Sequence, residues 1–546
     1  MENTVLRLQE ALNEARASLS LAPVYQVPVH DNQNEDDPDN LVTGEEGFDS
    51  PEGLVSAPIR SLYEVTRLQE AKAGEKPPSS SSPSGTVVQP DFIARGIISI
   101  EKAEQLTHYY LNRLDHFFYD FLQKYTSISQ IRETSTLLAL MLCTVAAIHD
   151  PLESEAYDRL SRELRDLTST FLFRERLGLE DIKALCLGGY WLSDMTSSLS
   201  SLAFHKATSM QFHVSHLNQP DSDVTCFQTS QLWLIIYLLN EQISILRGLP
   251  SSGMGRDFIK WEHHMESKHA TEIDLRMVSH IDLLLILNRV RELYGLDTSK
   301  SIPSTLIPEL RDFTIHIDKW GHNWCRKLAI NRWIGNFPAE AIQLHWQVAK
   351  FYVYSHVFRG LDVSSPTPTT VLNESEDMAT NAIATALSIL QLLTGSETIR
   401  GALIGMPHWF HTMFAFTAVF LLKVVSTFRR RVTVDVDLVL TTCKETLEVF
   451  RHSPCARQHL VHRISKGLSD MIRRCEATIQ VPNQTNGTEN IPSNDSSHFQ
   501  QEQATSTQDY GVGNGLYDSN QAWLDFDSFG FLSMPPPLDW NMDFNT

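Results

Sequence analysis

Between residues 91 and 479 apolar side chains return at steps of three and four, and no stretch of similar length alternates apolar with polar residues one by one. The first pattern lines one side of a helix, whereas the second would have lined one face of a strand, so the expected fold is all-α. Ser99 is placed to cap the first helix of this region, with Glu101 and Glu104 near its start. Ala103, Leu106, Tyr110, Leu114, Phe117 and Phe121 then form one stripe for burial. Residues 137–148 are nearly all apolar, which marks a helix at the centre of a bundle. Further helices are expected near 155–173, 179–197, 202–209, 273–294, 306–329, 338–358, 376–393, 409–427, 434–452 and 454–479. No period of about 34 or 40 residues organises them into a repeat solenoid. The clearest single element is 232–247, where Leu232, Ile236, Leu239, Ile243 and Leu246 fall on one side of a helix that must be buried, while Gly248 and Pro250 supply its stop.

The pattern changes outside this body. Residues 1–22 carry Val5, Leu8, Leu12, Ala15 and Leu19 in a/d order with charges around them, which predicts a short coiled coil for dimerisation. The alternative is an amphipathic helix docked on its own chain. Residues 23–90 read as a disordered linker, acidic over 27–51 and rich in Pro and Ser over 72–90. Its Asp36-Asp37-Pro38-Asp39 run is similar to the magnesium motif of terpene synthases, but Pro38 works against the helix that such a motif needs. Residues 480–508 are dominated by Gln, Asn, Ser and Thr and read as a tether. In 509–546 acidic residues interleave with Trp523, Leu524, Phe526, Phe529, Phe531, Leu532, Trp540 and Phe544. Acidic neighbours keep such bulky groups solvated until a partner with an apolar groove and basic rim captures them, which is the composition of a transcriptional activation segment. The alternative is a tail that packs its aromatics back on the body.

The run 232–250 resembles the signature helix of the fungal-specific middle homology region of zinc-cluster transcription factors. That pattern reads Leu-Trp-Trp, a Tyr, an Asp, a Ser and a closing Gly-Arg-Pro; Leu232, Trp233, Tyr237, Ser244, Gly248 and Pro250 match it. Leu234, Asn240 and Leu249 depart from it, so the salt bridge that the Asp and Arg could make is expected to be missing. Met210-Gln211-Phe212-His213 resembles the family's Leu-Gly-Leu-His helix end, and Ile259-Lys260-Trp261-Glu262 its Trp-Glu pair. The segment 57–64 is similar to the linker of a subgroup that includes regulators of secreted proteases. The resemblance implies a helical regulatory domain over 91–479 that senses a metabolite, a coiled coil that joins two subunits, and a nuclear location. No residue identifies the metabolite.

Charge and chemistry narrow the picture. With 66 acidic against 45 basic residues the formal charge is −21, which argues against attraction of the whole chain to nucleic acid or anionic membrane. No secretory signal opens the sequence, and the longest apolar stretches, 137–148 and 413–422, fall short of a membrane span. An intracellular protein without a membrane partner is therefore expected. The seven cysteines are widely spaced, whereas a binuclear zinc cluster needs six in a short segment. No cofactor is thus expected in this chain, and zinc only where an upstream cysteine cluster exists. His408 with His411, and His263, His264 and His269, lack a metal-ligand spacing and read as core or surface histidines. Gly188-Gly189 reads as close helix packing. Arg429, Arg430 and Arg431 suit the negative end of a helix better than an import signal. No catalytic residues and no metal ligands are expected.

The expectation is therefore a transcriptional regulator, an activator of RNA polymerase II genes, without its own DNA-binding module. It would pair with itself or with another zinc-cluster factor, reach DNA through a missing module or a partner, and recruit the transcription machinery through its tail. Target pathways left open are protease or nutrient genes and secondary metabolism. The rival readings are a metal-dependent all-α enzyme of terpene-synthase type and a helical scaffold with no role in transcription.

Overall fold

The computed structural model describes residues 90–174, 177–218, 224–252, 254, 259–297, 300–360, 376–429 and 431–480. All lie in the unit that Gln89 opens. The described residues are all-α and contain no strand; the single bridge between Asn331 and Gly335 closes a loop. The first seven helices are α1 (Ile100–Arg113), α2 (Ile128–Thr134), α3 (Thr136–His149), α4 (Ser154–Phe171), α5 (Leu179–Trp191), α6 (Thr196–Ser209) and α7 (Phe212–Asn218). The central run becomes α8 (Val224–Arg247), followed by α9 (Trp261–Glu266), α10 (Glu272–Tyr294), α11 (Ile307–Trp324) and α12 (Phe337–Ser355). The body closes with α13 (Glu376–Gly395), α14 (Glu397–Ala402), α15 (His408–Lys423), α16 (Val436–Arg451) and α17 (Leu460–Gln480).

Helix starts follow side-chain caps. Ser99 Oγ accepts from the Lys102 amide at 3.2 Å, and Ser135, Ser396 and Asp435 do the same for α3, α14 and α16. α3 is buried from Leu137 to His149, and it packs against α1, α4 and α5 as the core of the N-terminal half. The two glycines of α5 let it approach its neighbours: a Cβ on Gly188 would sit 2.5 Å from Leu199 and 2.7 Å from Met141, and one on Gly189 would sit 2.4 Å from Ser200. In the C-terminal half α13 packs on α12, α15 and α16, and α17 covers α15 and α16.

Four boundaries differ from those expected. The stripe from Ala103 to Phe121 is buried throughout, yet α1 ends at Arg113; a 3-10 turn at Asp115–Phe118 follows, and Tyr119 and Asp120 take left-handed φ of 60° and 53°. The helix expected over 179–197 breaks after Trp191, where Ser193 and Asp194 favour a turn and Thr196 Oγ1 bonds the Leu192 carbonyl at 2.8 Å. The helix expected over 306–329 stops at Trp324. The one expected over 454–479 begins at Leu460, because 454–459 is pinned to its surroundings: the Ala456 amide bonds the Ile148 carbonyl at 3.1 Å, and Gln458 bonds Asp158 at 2.7 Å.

Two helices, Glu376–Gly395 and the α15 helix extended through a π turn to Phe428, are long and apolar enough to cross a membrane by length and composition. The apolar stretch 413–422 understated the second. Burial in the bundle accounts for much of their apolarity, since 50% and 78% of the two segments lie inside the body.

Candidate functional site

α8 is the axis on which the body is assembled, touching α5, α6, α7, α9, α10 and α15. The expected stripe, Leu232, Ile236, Leu239, Ile243 and Leu246, is buried, but so are Leu234, Ile235, Leu238 and Ile245, so apolar neighbours surround the helix on every side. Trp233 is fully buried, stacked on Phe204 at 6.0 Å and tilted against His213 at 5.7 Å. The fully buried Tyr237 accepts a hydrogen bond from Asn288 Nδ2 at 3.1 Å through its hydroxyl oxygen, and burial pushes its phenol pKa up. The end of the helix is a Schellman cap: Gly248 has φ +60°, its amide bonds the Ile245 carbonyl at 3.3 Å, and the Leu249 amide bonds the Ser244 carbonyl at 2.8 Å. Pro250, exposed, follows the cap. Trp233, Tyr237 and Ser244 thus lie along α8, and Gly248 and Pro250 form the stop just beyond its end. Val5, Leu8, Leu12, Ala15 and Leu19 lie outside the described residues. So do Trp523, Leu524, Phe526, Phe529, Phe531, Leu532, Trp540 and Phe544.

Buried polar groups lie between α8 and its neighbours in three places. Near its start, Ser230 Oγ lies 2.7 Å from His216 Nδ1 and 3.0 Å from His264 Nδ1, and His264 Nε2 lies 3.2 Å from Asp274 Oδ1. Gln231 Nε2 donates to the same oxygen at 2.7 Å, while the Thr271 amide and hydroxyl both donate to Asp274 Oδ2 at 2.9 Å and so cap α10. The Asp274 carboxylate can only accept, so His264 Nε2–H donates to it. Burial pushes the Asp274 carboxyl up, but the His264 and Thr271 bonds outweigh it and hold the pKa below the usual carboxylate range. A serine, a histidine and an aspartate in line look like a nucleophilic relay. Yet His216, Ser230 and His264 have no exposed surface, Asp274 is 2% exposed, and Phe227 stacks on His264 at 4.4 Å. The arrangement joins α7, α8, α9 and α10.

At the other end, Glu241 and Arg291 form an ion pair at 3.2 Å, both essentially without exposed surface. Arg291 also donates to Asn288 Oδ1 at 3.0 Å and to the Leu249 carbonyl, while Glu241 Oε1 accepts from the Ser252 amide at 2.9 Å and the Ser251 hydroxyl at 3.1 Å. The sequence implied that the salt bridge between positions 240 and 249 is missing, because Asn240 and Leu249 are uncharged. Asn240 indeed bonds only back to the Ile236 carbonyl at 2.8 Å among the bonds it makes here, but the ion pair is present one residue further on, with its cation supplied by α10.

The third place is a cavity between α8, α10, α12 and α15. Its polar wall is Gln242, His280, His345 and Trp409, all buried; its apolar wall is leucines of α10 with Val348 and Ala349. The two imidazoles lie 4.1 Å apart, centre to centre, and Tyr119 Oη is 2.9 Å from His280 Nδ1. His280 Nε2, His345 Nδ1 and Trp409 Nε1 have no hydrogen-bond partner. Burial lowers the His345 pKa to about 3, and burial followed by the charges of His345 and Arg276 lowers that of His280.

The remaining histidines expected to be core or surface groups divide accordingly. His408 and His411 are buried, bonded to the Tyr190 and Leu403 carbonyls at 2.9 and 2.7 Å. His263 and His269 are partly exposed, and His264 is the hub already described. No group of three or more His, Cys, Asp or Glu among the described residues is arranged to hold a metal. Sequence reasoning missed Ser230, Asp274, Glu241 and Arg291, and read His264 only as a core or surface histidine. Two signals could have found some of them: Thr271-x-x-Asp274 before an apolar run is a capping-box pattern, and a glutamate inside an otherwise apolar helix demands a buried partner.

These features define an all-α body assembled around one buried helix. No family model matches the chain. Over 435 residues it is 29% identical to the transcriptional activator of proteases prtT from Emericella nidulans, an alignment that covers 78% of this chain and 65% of that protein. The chain therefore matches just under two thirds of the length of this curated relative. The likeness supports kinship with fungal transcription regulators, and the relative is an activator, not an enzyme.

Proposed function

We propose that this chain is a transcriptional activator of fungal zinc-cluster type that controls secreted-protease genes from the nucleus. The observation that carries this reading is the 29% identity to a protease activator over 78% of the chain. It is supported by the signature residues Trp233 and Tyr237, buried on the helix at the centre of the fold, and by Gly248, which caps that helix.

In this reading residues 1–22 join two subunits through Val5, Leu8, Leu12, Ala15 and Leu19, as a homodimer or with another zinc-cluster factor. Residues 23–90 and 480–508 are linkers, 91–479 is the regulatory body, and 509–546 recruits the transcription machinery through its aromatic residues. DNA is reached through a zinc-cluster module outside this chain or on a partner, and zinc belongs to that module alone. Fusing the 546-residue chain to a neutral DNA-binding domain tests the reading. Reporter activation that is lost when 509–546 is deleted is the expected result. A stable, nuclear fusion that leaves the reporter silent in several fungal hosts would contradict it.

A further inference from the structure

We propose that the loop joining α11 to α12, residues 325–336, docks the acidic aromatic segment 509–546 of the same chain. The docking rests on the chemistry of the two segments alone. If the regulatory reading holds, the contact covers the segment that recruits the transcription machinery.

The chain carries a formal charge of −21, yet the stretch from Lys319 to Ala339 contains Lys319, Arg326, Lys327 and Arg332 and no aspartate or glutamate. All four cations are exposed, and none forms an ion pair with a carboxylate among the described residues; the neighbouring Asp318 pairs with Lys350 at 3.0 Å instead. Apolar surface accompanies this charge. Ile330 and Trp333 in the loop are 76% and 47% exposed, and Ile315, one turn before Lys319, leads along α11 toward them. Cations set among an exposed tryptophan and isoleucine are the mixture that protein interfaces favour.

The loop is held in shape before any partner arrives. The Asn331 amide bonds the Gly335 carbonyl at 2.9 Å, and Asn331 Oδ1 accepts from the Trp333 and Ile334 amides at 2.8 and 3.2 Å. The Trp333 ring stacks on the buried His116 at 4.7 Å, and the Arg332 guanidinium lies 4.8 Å from the same ring. A partner therefore meets a fixed tryptophan and its cation, with little left to order on this side.

Segment 509–546 complements the loop in both respects. It holds Asp509, Asp518, Asp525, Asp527, Asp539 and Asp543 with no Lys or Arg, and aromatic residues such as Trp523, Phe526 and Phe529 stand between them. Carboxylates can meet the loop cations while aromatic rings meet Ile330 and Trp333. The acidic stretch 27–51 offers the charge but has Phe48 as its one aromatic residue. From Gln480, where α17 ends, about 28 residues lead to position 509; extended, they span up to ~95 Å, enough to reach any face of a body of about 390 residues.

Photo-crosslinking in the full chain tests the proposal. With Ile330→p-benzoylphenylalanine, irradiation and peptide mass spectrometry should join position 330 to 509–546, and in a mixture of isotope-labelled and unlabelled chains each joined pair should come from one chain. Arg326→Glu with Lys327→Glu and Arg332→Glu should lower the yield about fivefold or more, because like charges then face each other. Asp525→Asn with Asp527→Asn, made in the tail and not in the body, should also lower it and decides the matter if the first set fails to fold. Crosslinks only to 1–88, only between two chains, or to no residue of 509–546 would overturn the proposal, as would a yield unchanged in both charge variants. The crosslink reads contact and the reporter reads recruitment, so either reading can fail while the other stands.

Discussion

Glu241 and Gln242 are neighbours on one helix, yet they face opposite situations. On the Glu241 side the polar groups are matched to one another: a carboxylate, a guanidinium, an amide and two serines close the end of α8. On the Gln242 side three polar atoms converge on unfilled space with nothing to bond. The first arrangement is how a buried charge is made tolerable, and removing one member exposes the cost of the others. The second leaves donors whose bonds no described side chain completes. Polar character in the core of this body is therefore matched on one side of α8 and unmatched on the other.

Acid should produce the largest effect, and it acts across the whole body. Burial holds His149 and His216 near pKa 4 and His345, His356 and His411 near 3, against 6.5 when free. The unfolded chain then takes up protons first, so stability is full above about pH 6.5 and falls as the pH drops toward 4. Each such histidine contributes roughly 1 kcal/mol of loss between pH 7.5 and 5.5. Thermal unfolding followed by circular dichroism should show a steep fall in midpoint below pH 6.5; a flat midpoint down to pH 5 would contradict the buried neutral rings.

Next in size is the ion pair. Arg291→Ala leaves Glu241 buried and unpaired and should cost about 3–5 kcal/mol, while the double variant Glu241→Leu with Arg291→Met should recover most of it. Urea unfolding of the three proteins measures both. Equal losses in the single and double variants would break the contrast between the two sides of α8. Gly248→Ala comes lower, at roughly 1–2 kcal/mol, because φ of +60° is costly for a residue with a Cβ. The smallest change belongs to the unpartnered side: Trp409→Phe removes a donor that bonds nothing and should shift stability by no more than about 1 kcal/mol. A loss as large as that of Arg291→Ala would mean that the indole N–H is paired in solution.

Much of the fold was legible. The all-apolar α3, the Ser99 cap and the Gly248 stop follow from local chemistry alone, which is why sequence and structure agree there. The start at Leu460 was not legible, because contacts with a remote segment set it; Ala456 is held by Ile148, some 300 residues earlier. Left-handed Gln211, with φ of +62°, explains something else. It stands where the resembled pattern has glycine, the residue at ease in that conformation. The site was legible only as one helix. The partners of Ser230, Glu241 and Gln242 come from α7, α9, α10, α12 and α15, and no spacing along a chain reveals which helix will lie against which.

The most direct test of the regulatory reading is to measure transcripts genome-wide after deleting the gene for this chain. A fall of several fold in secreted-protease transcripts, restored by the intact gene but not by one lacking 509–546, is the predicted result. An unchanged transcript profile under conditions in which the protein is made would contradict it.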